Sequence, residues 1–442
     1  MSDKLLNIEE LNESSRDRIL KELQNRGSDR FLPKYEDTVK AIIQDVRENG
    51  DEALFRYTKQ FDRWDIDPSN IRVTEEEIKE ATESLDSDFI AVMRESADNI
   101  RSFHEKQKKN TWIDVQDNGS ILGQRVIPLE ITGVYVPGGK AAYPSSVLMN
   151  IIPAKTAGVG RIVMCTPAGA DGKVNPGTLA AASIAGADEI YKVGGAQAIA
   201  AMAYGTSSIP KVCKITGPGN IYVALAKKFC FGDVSIDSVA GPSEILVLCD
   251  DSADPGFVAA DLLSQAEHDE MAAAVLVTTS KRVAEGVMEC IEGFLNKLDR
   301  REIIESSLRN YGHIYLSPSL DDAIDAVNAW APEHLEIQTV DPFETMSRIK
   351  NAGAVFLGPW SSEPLGDYWA GPNHILPTGG TARFFSPLST DDFIKRSSII
   401  YYSEKALKCA HEKIELFAEK EGLSAHANSI RVRFEDTGDD KR

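Results

Sequence analysis

Between about residues 127 and 228, short apolar runs repeatedly end in glycine-rich turns and are followed by alanine-rich helical stretches. The runs at 131–136, 161–165, 190–193 and 212–215 lead into helices predicted over 145–157, 177–185, 196–204 and 221–228. Strands that alternate with helices pair in parallel, because each helix returns the chain to the same edge of the sheet. The repeat therefore predicts an α/β fold built on a parallel sheet.

The rest of the chain has regular patterns as well. Helical spacing of apolar residues predicts helices over 14–26, 36–60, 74–85 and 87–109, and Gln116–Ser120 is typical of a hairpin turn. A second α/β block is predicted from strands at 244–248, 273–278, 334–338 and 353–357 and helices at 255–269, 281–298 and 321–329. For the tail we expect an extended 397–403, a helix at 404–420 and a final strand at 430–433.

A chain of 442 residues exceeds the size at which one hydrophobic core usually suffices, so several domains are expected. The patterns predict an N-terminal helical arm (1–30), a first α/β domain (31–134 plus 241–387), a second, nucleotide-binding α/β domain (135–240) and a tail domain (388–442). The second domain is then inserted into the first or docked on it.

Composition excludes some classes of function. A net charge of −20 argues against nucleic acid, whose phosphates require a basic surface. No stretch approaches the roughly 20 apolar residues that span a bilayer, and the N-terminus is unlike a signal peptide. The six cysteines are scattered without a CxxC pair, which suits reduced thiols. We therefore expect a cytoplasmic enzyme that binds neither nucleic acid nor membranes.

Three glycine turns follow predicted strands: Gly138-Gly139, Gly194-Gly195 and Gly217-Pro218-Gly219. Backbone amides at such turns bind anions such as nucleotide phosphates, although glycine also ends strands for purely structural reasons. Familiar signatures are missing: the sequence has no GxGxxG, no GxSxG around Ser243 and no HExxH. Standard Rossmann, hydrolase and metalloprotease interpretations are therefore disfavoured.

Several polar side chains are candidates for chemistry. Gln265 and His268, three residues apart in a predicted helix, can face one cation, but such pairs are more often ordinary polar residues of a helix surface. Adjacent Glu333 and His334 at the start of a strand can relay a proton and position a water, or be an ordinary strand start. Asp367, in a loop, suits either a turn or a ligand. With a further histidine these groups would form a nitrogen and oxygen site suited to zinc or manganese.

The other histidines separate by context. His104 and His411 lie in charged helical stretches and are predicted to be solvated, whereas His313 begins a strand and is predicted to be structural. His374 and His426 lie in turn-rich polar surroundings, as His268 and His334 do.

Nine segments in order resemble the histidinol dehydrogenase family over residues 30–433. They are Gly133–Gly139, Tyr143–Asn150, Gly217–Asn220, Ala240–Glu244, Gln265–His268, Pro332–Glu336, Leu365–Tyr368, Leu376–Phe384 and Glu421–His426. The resemblance implies oxidation of L-histidinol through L-histidinal to L-histidine with two NAD, the last steps of histidine biosynthesis. It also implies a fold of two related, incomplete Rossmann-like halves, similar to aldehyde dehydrogenases.

The resemblance also implies roles for particular residues. It implies one Zn²⁺ per subunit held by Gln265, His268, Asp367 and His426, and NAD contacts from Tyr135, Gln197 and Asn220. It implies that Glu333 and His334 are catalytic, and that histidinol contacts Ser243, Gln265, His268, His334, Asp367, Glu421 and His426. The family forms an intertwined homodimer, so Glu421 and His426 are expected to act at the partner's site.

Two other interpretations stay open from the sequence. The chain could oxidise a different polar alcohol, although Tyr143–Ser146 resembles the histidinol branch. A thiohemiacetal mechanism through Cys165 or Cys213 is the second, but neither cysteine lies in a motif that resembles such a nucleophile.

Overall fold

A computed structural model describes residues 5–25, 33–138, 143–239 and 241–435. Its contacts divide the chain into two compact units. Unit 1 contains the described residues of Met1–Lys108 and Leu129–Phe393, and unit 2 those of Lys109–Pro128 and Ile394–Arg442. The four-part domain division made from the sequence stays a prediction.

The secondary structure is as follows. In chain order the strands are β1 (Ile8–Glu10), β2 (Trp112–Val115), β3 (Ile121–Pro128), β4 (Ile131–Tyr135), β5 (Arg161–Cys165), β6 (Glu189–Tyr191), β7 (Lys214–Thr216), β8 (Ser235–Ile236), β9 (Glu244–Cys249), β10 (Ala273–Thr278), β11 (Gly312–Leu316), β12 (His334–Gln338), β13 (Ala354–Leu357) and β14 (Ile394–Tyr401). The helices are α1 (Glu13–Asn25), α2 (Pro33–Asn49), α3 (Asp51–Asp62), α4 (Glu75–Glu83), α5 (Ser87–Glu105), α6 (Pro144–Ala157), α7 (Pro176–Ala185), α8 (Gly195–Tyr204), α9 (Ile221–Cys230), α10 (Pro255–Ala266), α11 (Lys281–Leu295), α12 (Arg301–Tyr311), α13 (Leu320–Trp330), α14 (Pro342–Ser347), α15 (Glu363–Tyr368), α16 (Glu404–Lys408), α17 (His411–Lys420) and α18 (Ser424–Arg431). Two 3₁₀ turns lie at Thr381–Arg383 and Thr390–Phe393.

The first sheet of unit 1 has five parallel strands in the order β6-β5-β4-β7-β8. The four predicted strand–turn–helix units are confirmed as β4–α6, β5–α7, β6–α8 and β7–α9. Successive strands move outward from β4 to β6, and the chain then returns to β7 on the other side of β4. The junction of β4 and β7 is therefore the switch point at which open α/β sheets leave a crevice.

The second sheet of unit 1 has six parallel strands in the order β1-β11-β10-β9-β12-β13. Its central strands β9 and β10 are buried along their whole length, as is usual for a parallel sheet with helices on both faces. The predicted α/β class is therefore confirmed. The edge strand β1 was not predicted, because three half-exposed residues are too few to show a period.

The N-terminal helices pack on the five-stranded half: α2 contacts α8 and α9, and α5 contacts α6. The single helix predicted over 36–60 is two helices, because Gly50 has a φ of +53° and separates α2 from α3. Such a φ is natural for glycine and breaks a helix at once. The N-terminus of α4 is fixed by a capping box between Thr74 and Glu77.

Unit 2 contains an antiparallel sheet in the order β14-β3-β2 and the helices α16 to α18. The hairpin turn predicted at Gln116–Ser120 joins β2 and β3. The strand predicted at 430–433 is wrong: residues to Arg431 continue α18. Arg431 pairs with Glu415 and Glu419 on α17, which a helix permits and which an isolated four-residue pattern cannot reveal. Within the described residues, no helix is long and apolar enough to cross a membrane.

Candidate functional site

The acid and base predicted at the start of a strand lie where β12 begins, and both are buried. Glu333 Oε2 accepts a hydrogen bond from the Glu244 backbone N–H at 2.8 Å. His334 Nδ1 lies 3.1 Å from the Glu244 carbonyl oxygen and 3.6 Å from Glu333 Oε2. A carbonyl oxygen only accepts, so Nδ1 carries the ring proton and Nε2 is the basic nitrogen.

Burial lowers the pKa of His334 to about 4 and outweighs the opposing effect of Asp367. The imidazole is therefore neutral at pH 7, as a general base must be. The backbone beside this imidazole is held in place, since Glu244 Oε1 accepts hydrogen bonds from the backbone N–H groups of Glu333 and Gly379. Ser243, expected to contact substrate, directly precedes Glu244, and its carbonyl accepts the Ala273 N–H at 3.0 Å.

Three ligand-type side chains gather nearby in unit 1. Atoms of His268, Glu363 and Asp367 all lie within 4.8 Å of one another, a spacing that one cation can bridge. Gln265 is 0% exposed, and its side-chain oxygen and nitrogen have no hydrogen-bond partner. A buried amide without a partner is costly, so this side chain suits a ligand atom. The structure thus brings His268 and Asp367 together.

The helix geometry predicted for the Gln265 and His268 pair is only partly correct. The α10 helix, capped by Asp254 at its start, ends at Ala266, so His268 lies in the turn that follows. The His268 backbone N–H donates to the Gln265 carbonyl at 3.2 Å, which keeps the two residues close. Asp367, predicted in a loop, lies in the short helix α15.

The two carboxyl groups of the cluster differ in charge. Burial, together with the neighbouring Asp367, raises the pKa of Glu363 to about 8. Burial also raises the pKa of Asp367, but His374, His334 and His268 outweigh it and lower the pKa to about 2. Without a cation, one carboxyl is therefore ionised and the other protonated, as expected for acids that share a site.

Glu363 was missed by the sequence analysis, as was the polar network behind it. Glu336 Oε1 accepts the Glu363 backbone N–H at 2.8 Å, and Gln338 Nε2 donates to Glu336 and Asp261 at 3.1 Å each. Burial raises the pKa of Glu336 well above its usual range, and Asp261 adds to this. A usable signal existed: polar residues at alternate positions 334, 336 and 338 mark one face of β12.

The surroundings of the other histidines and of two cysteines can be compared with the sequence predictions. His374 Nδ1 lies 3.3 Å from Asp367 Oδ1 and so supports that carboxylate. His104, predicted to be solvated, is fully buried: its Nδ1 lies 2.7 Å from the Ile100 carbonyl, since α5 turns this side chain inward. Cys165 is fully buried, and burial raises its thiol pKa, which disfavours it as a nucleophile. Cys213 is exposed.

Glu421 and His426 lie in unit 2 and are exposed. Glu421 follows the end of α17, and His426 lies in the first turn of α18. The expected ligand and substrate sets are thus divided between the two units. Their assembly across a dimer stays a prediction.

The side chains expected to contact NAD lie after strands of the five-stranded sheet. Tyr135 ends β4 and is buried, and Gln197 in α8 is buried with both amide atoms lacking a partner. Asn220 caps α9, where its Oδ1 accepts the backbone N–H groups of Tyr222 and Val223, so its Nδ2 remains for a ligand. Tyr135 and Asn220 flank the switch point between β4 and β7.

Three of the glycine amides in these turns are not open anion donors, contrary to expectation. Gly195 N–H donates to the Tyr135 hydroxyl at 3.0 Å, Gly194 N–H to Asp62, and Gly217 N–H to Asp237 at 2.8 Å. Protein acceptors therefore already satisfy them. Gly139 of the first turn lies outside the described residues.

Asp62 generates a pH prediction. Burial raises its pKa from 3.8 to about 6, opposed by the Gly194 N–H. The folded chain then holds this proton more tightly than the unfolded chain, so this contribution to stability falls as the pH rises from 3.8 to about 6. Asp62→Asn, which cannot ionise, should gain stability relative to the parent across that window and stay constant above it.

Urea unfolding of both proteins at about pH 4, 5, 6 and 7 measures this difference. The exposed Asp17→Asn variant is the control. A difference between Asp62→Asn and the parent that does not change with pH would contradict the assignment.

Comparison with known proteins gives one consistent family. The histidinol dehydrogenase family matches residues 25–434. Histidinol dehydrogenase of Clostridium acetobutylicum is 55% identical over 415 residues, covering 94% of this chain and 95% of that protein. The Bacillus subtilis enzyme of the same name is 55% identical over 408 residues, covering 92% and 95%.

A solved structure agrees with these sequences. The crystal structure of histidinol dehydrogenase from Elizabethkingia anophelis superposes with a TM-score of 0.92 at 37% identity, covering 99% of this chain and 100% of that one. Sequence and fold thus match over nearly the whole length. The chain therefore belongs to the histidinol dehydrogenase family and is an oxidoreductase.

Proposed function

We propose that this chain oxidises L-histidinol through L-histidinal to L-histidine with two NAD, as a homodimer with one zinc ion per subunit. The observation that carries this is the neutral, buried His334 beside the cluster of His268, Glu363 and Asp367. The buried Gln265, whose side-chain amide has no partner, precedes His268 by three residues. The named activity of the relatives supports the same substrate. We also place the reaction in the cytoplasm, in keeping with six free cysteines.

The residues present fit a zinc site. Gln265, His268 and Asp367 would supply oxygen and nitrogen ligands, and the partner's His426 would complete the set. When bound, zinc would orient the substrate by its amine and imidazole nitrogens. Ser243 and the partner's Glu421 would hold the rest of histidinol.

In the first oxidation, His334 Nε2 takes the proton of the substrate hydroxyl while hydride leaves the same carbon for the nicotinamide ring. Two features of this chain prepare the base. Burial keeps the imidazole neutral, and the Glu244 carbonyl fixes the ring through Nδ1. General bases positioned in this way typically contribute about 10²–10⁴ in rate.

In the second oxidation, Glu333 takes a proton from water, whose oxygen attacks the aldehyde carbon. His334 returns the proton from the first oxidation to the aldehyde oxygen, which gives the hydrated form. His334 is then neutral again and removes a hydroxyl proton as the second hydride leaves for the second NAD, and the resulting carboxylic acid ionises to the carboxylate. The Glu244 N–H orients the Glu333 carboxylate for this step. Tyr135, Gln197 and Asn220 would hold both NAD molecules in turn.

The stoichiometry of NADH release tests the reaction. Purified protein supplied with zinc, excess NAD and limiting L-histidinol should release two NADH per histidinol, measured by absorbance. L-histidine measured chromatographically should equal the histidinol consumed. One NADH per histidinol with accumulated aldehyde would instead indicate a simple alcohol dehydrogenase, and no NADH would overturn the proposal.

His268→Asn tests the metal site separately from the dinucleotide site. We expect zinc affinity to fall by about 100-fold or more, since even changes behind the ligands cost about 10–100-fold. Histidinol binding should be lost with the metal, while NADH affinity should remain near the parent value. Metal analysis and NADH fluorescence measure these, with His411→Asn as the control. Equal loss of NADH binding would show that the two sites are not separable.

Glu333→Gln and His334→Asn test the catalytic roles. Both variants should retain zinc. His334→Asn should slow the conversion of histidinol by about 10²–10⁴, whereas Glu333→Gln should slow mainly the oxidation of added histidinal, which needs the activated water. Single-turnover kinetics with each substrate distinguish the steps, and equal damage to both steps by each variant would contradict the assignment.

A further inference from the structure

A buried ion pair lies beneath the turn that follows β7. Lys227 and Asp237 are in contact, and their side chains are only 3% and 6% exposed. Lys227 Nζ donates to the Gly217 carbonyl at 2.9 Å, and Asp237 Oδ2 accepts the Gly217 N–H at 2.8 Å. Both backbone polar groups of one glycine are therefore bound by the two members of one ion pair.

Gly217 packs against the backbone of Tyr135 at the switch point between β4 and β7. Gly217 has a φ of +118°, and a Cβ placed on it would come within 2.0 Å of the Tyr135 carbonyl oxygen. The residue is thus pressed onto the end of β4, in a conformation that favours glycine. Three residues later Asn220 caps α9, so a movement of Gly217 would displace both side chains that flank the crevice.

The ion pair connects three elements to this turn. Lys227 lies in α9, two helical turns beyond Asn220. Its hydrogen bond to the Gly217 carbonyl therefore joins the helix to the turn that precedes it. Asp237 follows β8, and its N–H donates to the Ile215 carbonyl in β7 at 3.3 Å. A buried ion pair is rarely more stabilising than an apolar pair of the same size. Stability alone therefore does not account for these two charges.

We propose that Lys227 and Asp237 are positioning residues, which fix the Gly217 turn so that Tyr135 and Asn220 face the dinucleotide. They act through the turn and do not touch the cofactor. This inference rests on the proposed use of NAD at the switch point. The affinity for the dinucleotide then depends on this buried ion pair as well as on the side chains around the crevice.

The test compares the full-length, zinc-loaded enzyme with two variants of the Lys227–Asp237 pair, called the clamp variants: the isosteric Asp237→Asn and the apolar double variant Lys227→Met/Asp237→Leu. The control is Lys214→Met, which removes a lysine that is also buried, in an ion pair with Asp392 at 3.2 Å. Lys214 begins β7, at the end of the strand away from Gly217. NADH affinity, KM for NAD, kcat, zinc content, histidinol affinity and melting temperature are measured for each.

We expect both clamp variants to bind NADH about tenfold more weakly or worse, with KM for NAD raised and kcat at saturating NAD little changed. The double variant should melt near the parent temperature and keep zinc and histidinol binding, and Lys214→Met should bind NADH normally. This combination separates positioning from stability.

Two results would overturn the inference. A stable double variant with the NADH affinity of the parent would show that the turn does not need the charges. Parallel losses of melting temperature, zinc and NADH binding in both clamp variants would show a purely structural role. If the parent itself bound no NADH, the proposed function would fail first, and this inference with it.

Discussion

A polar group buried in a protein must find a partner, and this requirement organises the space between β12, α10 and α15. The inward face of β12 presents His334, Glu336 and Gln338, where a strand covered by helices would ordinarily bury apolar side chains. Hydrogen bonds to Asp261 and from the Glu363 N–H satisfy Gln338 Nε2 and Glu336 Oε1, whereas Gln338 Oε1 has no partner. The remaining atoms, above all the Gln265 amide, are left for a ligand.

The consequence is a site whose charges are set by burial. Fully exposed, His334 would be partly protonated near neutral pH, and Glu363 and Asp367 would both be ionised. In the folded chain His334 is a neutral base, Asp367 is ionised and Glu363 holds its proton. Burying these polar side chains costs folding free energy. The same burial leaves a neutral imidazole, which suits a base, and an ionised carboxylate, which suits a cation. A core that was merely apolar at these positions would be simpler to fold but chemically inert.

The fold was predictable where one local rule decided it. Glycine after an apolar run fixed the four strand–turn–helix units of the first sheet, since each turn needs little information from elsewhere in the chain. Prediction failed where the deciding contact is distant. His104 is buried by packing of α5, and α18 is supported by pairing of Arg431 with α17. Glu363 gains its significance only because α15 lies beside the turn after α10. The proposed roles of Glu421 and His426 would depend on a partner chain, which no local pattern specifies.

The two candidate sites lie at opposite edges of their sheets, and helix polarity gives a reason. Tyr135 and Asn220 lie at the carboxyl ends of strands, where helices begin and their N-termini favour the negative charge of a dinucleotide. His268 precedes β10 and His334 begins β12, shortly after α10 and α13 have ended, and helix C-termini favour cations. The proposed anionic cofactor and the proposed metal-bound amine would thus each have a sheet edge of suitable polarity. The Gly217 turn belongs to the first edge, and its N–H is already bound to a carboxylate there. Attraction of phosphate to that amide therefore cannot fix the turn, and the buried Lys227 supplies the positive charge that balances Asp237.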